Sequence, residues 1–156
     1  MLCYLDLKYK DHANFIVRNI GKHFPYALSI LNYLTKEPDF ALLELPLYHF
    51  CFLKNDDEQW LVLIVYNEGN EFVKKGFYKN SEKGKVFITV LEVGFFHHHK
   101  EYGMAMIEWL QEKFPNLSIQ LIAKDKVIAE KYYLKRGFVQ LNPDELVLEY
   151  KGAENE

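Results

Sequence analysis

The chain has 156 residues, the size of one ordinary domain; 49% of them are hydrophobic and 16% aromatic, a composition that excludes an intrinsically disordered protein. Its 19 basic and 22 acidic side chains give a formal net charge of −3, whereas strong nucleic-acid binders usually carry a basic excess. The composition therefore favours a folded globular domain and does not favour a nucleic-acid-binding protein.

The first part of the chain shows one strand pattern followed by two helix patterns. Residues 2–9 alternate between apolar and polar side chains, as expected for a strand. Asp11 occupies a typical N-cap position ahead of apolar residues at helical spacing. Pro25 suits the first turn of a second helix, which is expected to end near Pro38.

The middle of the chain is rich in β-branched and aromatic residues, and turn-forming residues divide it into four segments. Each segment predicts a strand, and the short connections between them predict antiparallel pairing. The four predicted strands cover residues 47–53, 60–66, 71–78 and 86–93.

The last part of the chain alternates between helix and strand patterns and ends in a hairpin. Asp125 is a typical N-cap and Gly137 a typical residue after a helix end, so they bound one of the helices. In chain order, the predicted elements are a helix over residues 102–114, a strand over 118–123, the helix between Asp125 and Gly137, and strands over 138–141 and 146–150.

The order of these elements predicts an α+β fold with a mixed, mainly antiparallel sheet flanked by helices. No linker divides the chain, so we expect one domain over residues 1–156, with a frayed tail at 152–156. The N-terminus lacks the basic and apolar regions of a signal peptide, and no uninterrupted apolar stretch is long enough for a membrane span. We therefore expect a soluble, cytoplasmic protein with no membrane partner.

The stretch "HHHKEYGMAMIEWLQEKF", residues 97–114, joins a predicted strand to a predicted helix. A helix N-terminus presents backbone N–H groups and a partial positive charge, which together attract anions such as pyrophosphate. Gly103 and Ala105 are small enough to let a phosphate approach the backbone. A plain helix start explains the same residues, and neither a P-loop nor the Gly-x-Gly-x-x-Gly pattern is present.

The three histidines that open this stretch, His97, His98 and His99, suggest a metal site at first sight. Consecutive side chains point in different directions, however, and no second metal-binding motif accompanies them. We therefore predict no metal at this position. Partly protonated imidazoles would instead add positive potential to the loop.

Two segments resemble the signatures of the GNAT superfamily of N-acetyltransferases. In "AEKYYLKRGF", residues 129–138, an alanine, an aromatic pair ending in tyrosine and a terminal Gly-Phe keep the spacing of the family's fourth helix. Upstream, "KEYGMA", residues 100–105, resembles the family's Gln/Arg-x-x-Gly-x-Gly/Ala loop, and "VFITVLEV", residues 86–93, resembles its fourth strand. Lys100 departs from the usual Gln or Arg, and Lys126 stands where the family often has asparagine.

The resemblance implies a V-shaped opening between the fourth and fifth strands that binds acetyl-CoA. The pantetheine arm would pair with the fourth strand, the pyrophosphate would lie on the following loop, and a main-chain N–H near the strand end would polarise the thioester carbonyl. The residues implied in cofactor binding are Leu91, Val93, His99, Lys100, Glu101, Tyr102, Gly103, Met104, Ala105 and Lys126.

Two side chains are the candidates for catalysis. The resemblance implies that Tyr133 is the general acid that protonates the leaving thiolate, although a packed core tyrosine explains the same residue. Glu92 ends the predicted fourth strand and is the candidate base for the amine, the alternatives being a solvated carboxylate with no catalytic role or His49 as the base.

The predicted activity is therefore acetyl transfer from acetyl-CoA to a primary amine of a small molecule or protein, by direct attack in a ternary complex. The aromatic residues of the first half suit an apolar acceptor wall or an ordinary core. Three alternatives remain open: a non-catalytic CoA-binding or regulatory module of the same fold, transfer to aminoacyl-tRNA, and a Cys51 nucleophile with His49 as its base. A homodimer is compatible with the sequence.

Overall fold

The computed structural model describes residues 2–77, 82–94, 101–123 and 125–152. Within this part of the chain, seven strands form one sheet, and helices cover both of its faces. The strands are β1 (Cys3–Lys8), β2 (His49–Lys54), β3 (Trp60–Glu68), β4 (Lys85–Val93), β5 (Ser118–Ile122), β6 (Val139–Asn142) and β7 (Glu145–Tyr150). The helices are α1 (Tyr9–His23), α2 (Pro25–Leu34), α3 (Gly69–Lys74), α4 (Tyr102–Lys113) and α5 (Lys126–Ile128), which continues through a π-helical turn (Ala129–Tyr133) and a 3-10 turn (Leu134–Arg136).

The strands follow the order β1-β2-β3-β4-β5-β7-β6 across the sheet. All neighbours pair antiparallel except β4 and β5, which are parallel and are joined through α4. The predicted α+β fold with a mixed, mainly antiparallel sheet is therefore confirmed. No helix in the described ranges is long and apolar enough to cross a membrane.

Each face of the sheet carries its own apolar core. The core under α4 includes Met106 and Leu110, and the core under α1 and α2 includes Ile20 and Phe24; all four side chains are fully buried. Burial of such a side chain stabilises a fold by roughly 1.5–3 kcal/mol. Because both faces of β3 are covered, residues 61–66 form an unbroken apolar run rather than an alternating one.

A β-bulge in β4 changes the direction of its side chains. Ile88 and Val90 pair with consecutive residues of β3, so Thr89 is an extra residue in β4. The extra residue shifts the alternation by one position. As a result, Ile88 and Leu91 both pack into the core under α4, while Val90 packs on the α2 side.

The predicted strand over residues 71–78 is wrong, because residues 71–74 belong to α3 and residues 75–77 lie in no strand. A Cβ atom at Gly69 would lie 1.9 Å from the backbone oxygen of Glu82, so only glycine allows the two chain segments to approach at the start of α3. The helix buries Phe72 and ends at Lys74, and Gly76, just after the C-cap Lys75, has a left-handed φ of 92°. Gly76 was the sequence signal for a helix end.

Two predicted boundaries also differ from the structure. The helix expected to start at Asp11 starts directly after β1, with Lys8 as N-cap, and His12 (φ −141°) introduces a kink. The strand expected from residue 47 starts at His49, after a π-helical turn (Phe40–Glu44) and a 3-10 turn (Leu45–Leu47). Pro46 lies in the 3-10 turn, where its missing N–H costs no strand pairing.

A pair of glycine-to-alanine substitutions tests the close packing at α3. Gly69→Ala is expected to lower the free energy of unfolding by at least about 3 kcal/mol, because the new methyl group meets backbone rather than a movable side chain. Gly21→Ala places its new methyl group in open space and is expected to raise the free energy of unfolding by about 0.5–1 kcal/mol. Urea denaturation measures both; equal stability of the two variants would contradict the packing described.

Candidate functional site

β4 and β5 pair along only the first part of β4. Residues 85–88 pair with residues 118–121, whereas residues 90–93 continue along β3 and are not paired with β5. Beyond β5, the N–H of Ala123 instead donates to the carbonyl of Leu146, at 2.8 Å. An opening therefore lies between the end of β4 and β5, at the position predicted for the fourth and fifth strands.

The backbone of β4 beyond the bulge directs polar groups toward this opening. The N–H of Gly94 donates to the carbonyl of Leu61 in β3, at 2.7 Å. In antiparallel strands, alternate residues direct their N–H and C=O groups to one neighbour, and the intervening residues direct theirs to the other. Leu91 and Val93 therefore direct theirs away from β3 and toward the opening. An extended ligand can pair with such an edge as an added strand.

The N-terminus of α4 lies beside the end of β4. A Cβ atom at Gly103 would be 3.2 Å from a methyl carbon of Val93, so the first turn of α4 contacts this strand directly. Glu101, the N-cap residue, has a left-handed backbone (φ 54°), and its carbonyl accepts hydrogen bonds from Met104 and Ala105. The partial positive charge of a helix N-terminus is thus located at the end of the opening.

The side chains predicted for cofactor binding differ in their burial and contacts. Met104 is buried in the core, so its polar contribution is limited to its backbone. Lys126 is exposed, and its ammonium lies 3.9 Å from the carboxylate of Glu130. His99 and Lys100, together with the other two histidines of the run, lie outside the described residues, and the predictions for them stay predictions.

Arg136 was missed by the sequence reasoning. Its guanidinium lies 3.7 Å from the carboxylate of Glu101, and so places a cation next to the N-terminus of α4. The 3-10 turn that follows Tyr133 positions it there. No local sequence pattern predicts this contact, because Arg136 and Glu101 belong to different elements.

Tyr133 lies in the core under α4 and is 8% exposed. Its ring packs 5.4 Å from that of Phe138, and it belongs to the same apolar cluster as Leu91 and Val93. Burial, with a smaller contribution from Tyr132, raises the pKa of its hydroxyl to about 12. The hydroxyl therefore keeps its proton at neutral pH, as a general acid requires.

Glu92 connects β4 to the start of α2. Its carboxylate accepts hydrogen bonds from the backbone N–H groups of Ala27, at 2.7 Å, and Tyr26, at 3.2 Å. The side chain thus caps α2, whose partial positive charge stabilises the carboxylate. Each carboxylate oxygen accepts one of these bonds and has capacity for another. The sequence reasoning missed this cap because 65 residues separate Glu92 from Ala27.

The alternative nucleophile, Cys51, lies in the core and is fully buried. Burial raises the pKa of its thiol well above the ordinary value, which disfavours the reactive thiolate. The pKa of His49 is lowered, chiefly by burial, and its ring stacks on Tyr66 at a centroid distance of 4.7 Å. These surroundings favour a structural role for both residues.

Comparison with known proteins shows a likeness in three dimensions alone. No protein-family model matches the chain, and no curated protein sequence matches it. Among solved structures, the histone acetyltransferase HPA2 and related acetyltransferase from Corynebacterium glutamicum matches with a TM-score of 0.64 and 14% identity, over 97% of both chains.

Two further structures match over almost their entire length. A structure from Desulfovibrio desulfuricans assigned to the GNAT family of acetyltransferases has a TM-score of 0.63 and 13% identity, over 98% of this chain and 100% of that one. The ribosomal-protein-S18-alanine N-acetyltransferase from Escherichia coli has a TM-score of 0.60 and 11% identity, over 100% of this chain and 98% of that one. The resemblance predicted from two sequence motifs is confirmed at the level of the fold: this chain has the fold of the GNAT superfamily of N-acetyltransferases.

Proposed function

We propose that this protein is an acetyl-CoA-dependent N-acetyltransferase that moves an acetyl group to a primary amine by direct attack in a ternary complex. The observation that carries the proposal is the opening between β4 and β5, with the N-terminus of α4 at its end. A strand end that does not pair with β5 suits an extended pantetheine arm, and a helix N-terminus suits a pyrophosphate. The acetyltransferase names of the structural relatives support the same activity.

In this proposal, the cofactor is bound mainly by backbone groups. Leu91 and Val93 pair with the pantetheine arm, and the backbone of residues 99–105 receives the pyrophosphate. Lys100, with Arg136 beside Glu101 as an addition from the structure, supplies positive charge near the pyrophosphate, and Lys126 is assigned to the pantetheine arm. Cofactor binding is then compatible with Lys100 and Lys126 in place of the usual residues of the family, because backbone donors do not depend on side-chain identity.

The chemistry assigns a separate proton transfer to each catalytic candidate. Acetyl-CoA supplies the activated thioester, and the acceptor amine must be neutral to attack its carbonyl carbon. Glu92 accepts the proton that the amine loses, and a main-chain N–H near Val93 donates to the carbonyl oxygen as that oxygen gains charge. Tyr133 donates its proton to the thiolate that leaves.

An assay for both products tests the proposal. The protein is incubated with acetyl-CoA and a panel of amines, and the released thiol and the acetylated amine are measured together. Enzyme-dependent formation of both in equal amounts is the expected result. Acetyl-CoA binding without turnover of any amine would instead identify the non-catalytic module of the same fold.

Glu92→Gln separates the proton-accepting role of Glu92 from its capping role. The amide oxygen still accepts a bond from α2, so the free energy of unfolding is expected to change by less than about 1 kcal/mol. At pH 7, kcat/KM is expected to fall about tenfold or more, because no carboxylate takes the amine proton. The deficit should narrow as pH rises and more amine is neutral; a pH-independent deficit would indicate that Glu92 acts only through structure.

A further inference from the structure

We infer that Arg136 is a positioning residue for cofactor binding: it pairs with the carboxylate of Glu101 and so keeps that negative charge from opposing the pyrophosphate at the N-terminus of α4. The inference rests on the proposed function, since it concerns the phosphate end of the same site. It is carried by the ion pair, by the place of Glu101 on α4 and by the turn that holds Arg136.

Glu101 places a negative charge at the N-terminus of α4. Its backbone belongs to the start of the helix, because its carbonyl accepts hydrogen bonds from the N–H groups of Met104, at 3.2 Å, and Ala105, at 3.3 Å. Its left-handed φ of 54° is a conformation that glycine and asparagine adopt more readily than glutamate. The carboxylate is thus attached to the turn of backbone where the pyrophosphate is proposed to bind.

A carboxylate at this position competes with an anionic ligand. Carboxylates at a helix N-terminus are attracted by the same backbone N–H groups and the same partial positive charge that attract phosphate. In the described part of the chain, the Glu101 side chain makes no capping hydrogen bond to α4, and its carboxylate instead lies 3.7 Å from the guanidinium of Arg136. Residues 102–105 have no charged side chain, so Glu101 is the source of charge in this turn and Arg136 balances it.

The backbone on both sides of Arg136 is well anchored. Arg136 ends the 3-10 turn (Leu134–Arg136), and Gly137, with a left-handed φ of 93°, directs the chain into the core directly after it. The next residue, Phe138, is 3% exposed. The side chain of Arg136 is 31% exposed, against 75% for that of Glu101. The more enclosed guanidinium therefore determines where the more mobile carboxylate is placed.

A cycle of charge-neutralising variants tests this role by calorimetric titration with acetyl-CoA. Arg136→Gln is expected to lower the affinity by about threefold to tenfold, because it leaves the carboxylate unbalanced beside the pyrophosphate. Glu101→Gln is expected to raise the affinity by a similar factor. The double variant has the same local net charge as the parent, and is expected to bind within about twofold of the parent affinity. An exposed ion pair contributes little to stability, so all four proteins should unfold at nearly the same temperature.

Two further readouts separate this electrostatic role from a packing role. Arg136→Lys keeps the charge and changes the shape, so its affinity is expected to stay within about twofold of the parent value. Raising the salt concentration from about 0.1 M to about 1 M shortens the Debye length from about 10 Å to about 3 Å. The differences among the variants are therefore expected to fall below about twofold at the higher salt concentration, whereas a loss caused by packing would persist.

Glu82→Gln is the matched control. It removes the carboxylate of another exposed ion pair, which Glu82 forms with Lys85 at 3.1 Å, and it changes the net charge of the protein by the same amount. Lys85 begins β4, whereas the proposed cofactor site lies at the other end of that strand. The affinity for acetyl-CoA is expected to stay within about twofold of the parent value, because the distance exceeds the Debye length.

The outcomes distinguish this inference from the proposed function. If acetyl-CoA fails to bind to the parent protein, the proposed function falls and the inference falls with it. If acetyl-CoA binds and Arg136→Gln binds it as tightly as the parent, the function stands and the inference is overturned. A loss in Arg136→Gln that Glu101→Gln does not restore also overturns it, because Arg136 would then act on the cofactor directly. Opposite effects that cancel in the double variant and disappear at high salt are the supporting result.

Discussion

Tyr133→Phe is expected to lower kcat by about 100-fold or more, while the affinity for acetyl-CoA changes by less than about twofold. The substitution removes one hydroxyl and keeps the ring that packs on Phe138. Without that hydroxyl, the leaving thiolate must depart unprotonated or take a proton from water. Steady-state kinetics with saturating amine, together with calorimetric affinities for acetyl-CoA, measure the two effects separately.

The dependence of this effect on pH follows from the buried position of Tyr133. Burial raises the pKa of its hydroxyl to about 12, and the protonated form is the one that donates. The ratio of parent to variant kcat is therefore expected to stay constant between about pH 7 and pH 10, and to fall only as pH approaches 12. An ordinary tyrosine hydroxyl would already be half deprotonated near pH 10, and the ratio would then be halved.

Tyr132→Phe is the matched control for this prediction. Tyr132 is the neighbouring residue in the same helical turn, and it is 39% exposed rather than buried. Its substitution is expected to leave kcat within about twofold of the parent value. If Tyr133→Phe also retains parental kcat, Tyr133 is a packed core tyrosine and another group supplies the proton.

Gly103→Glu is expected to reduce the affinity for acetyl-CoA by about 100-fold or more. The new side chain adds negative charge at the N-terminus of α4, where the pyrophosphate is proposed to bind, and its Cβ already lies 3.2 Å from Val93. An acidic residue in the first turn stabilises a helix, so the variant is expected to fold. Calorimetric titration measures the affinity for acetyl-CoA, and thermal unfolding shows whether the variant is folded.

Gly103→Ala controls for the contact with Val93 alone. Its methyl group requires only a small shift of a flexible side chain, so the affinity is expected to fall no more than about tenfold. A folded Gly103→Glu variant that binds acetyl-CoA as tightly as the parent would place the pyrophosphate elsewhere.

Elements with strong local patterns could be predicted from the sequence. The helix over residues 102–114 carries apolar residues at helical spacing, and β4 is an almost unbroken run of β-branched and aromatic residues. The cap at Asp125, whose carboxylate accepts a hydrogen bond from Ile128, and the left-handed Gly137 were likewise visible as local signals.

Features that depend on distant contacts could not be predicted in this way. The sequence predicts a strand where the short helix α3 lies, because the start of α3 is set by the approach of Gly69 to Glu82 and not by its own periodicity. The bond of Glu92 to the start of α2 and the contact of Arg136 with Glu101 arise only when separate elements are packed together. The position of Glu92 on its strand could be predicted, but its role as the cap of α2 could not.

Calorimetric titration of the purified protein with acetyl-CoA tests the central claim most directly, because every later step depends on the opening between β4 and β5 binding this molecule. The predicted result is saturable binding of one acetyl-CoA per chain, in competition with free CoA. Absence of binding in a protein shown to be folded would contradict the claim, and the fold would then be used for a different purpose in this protein.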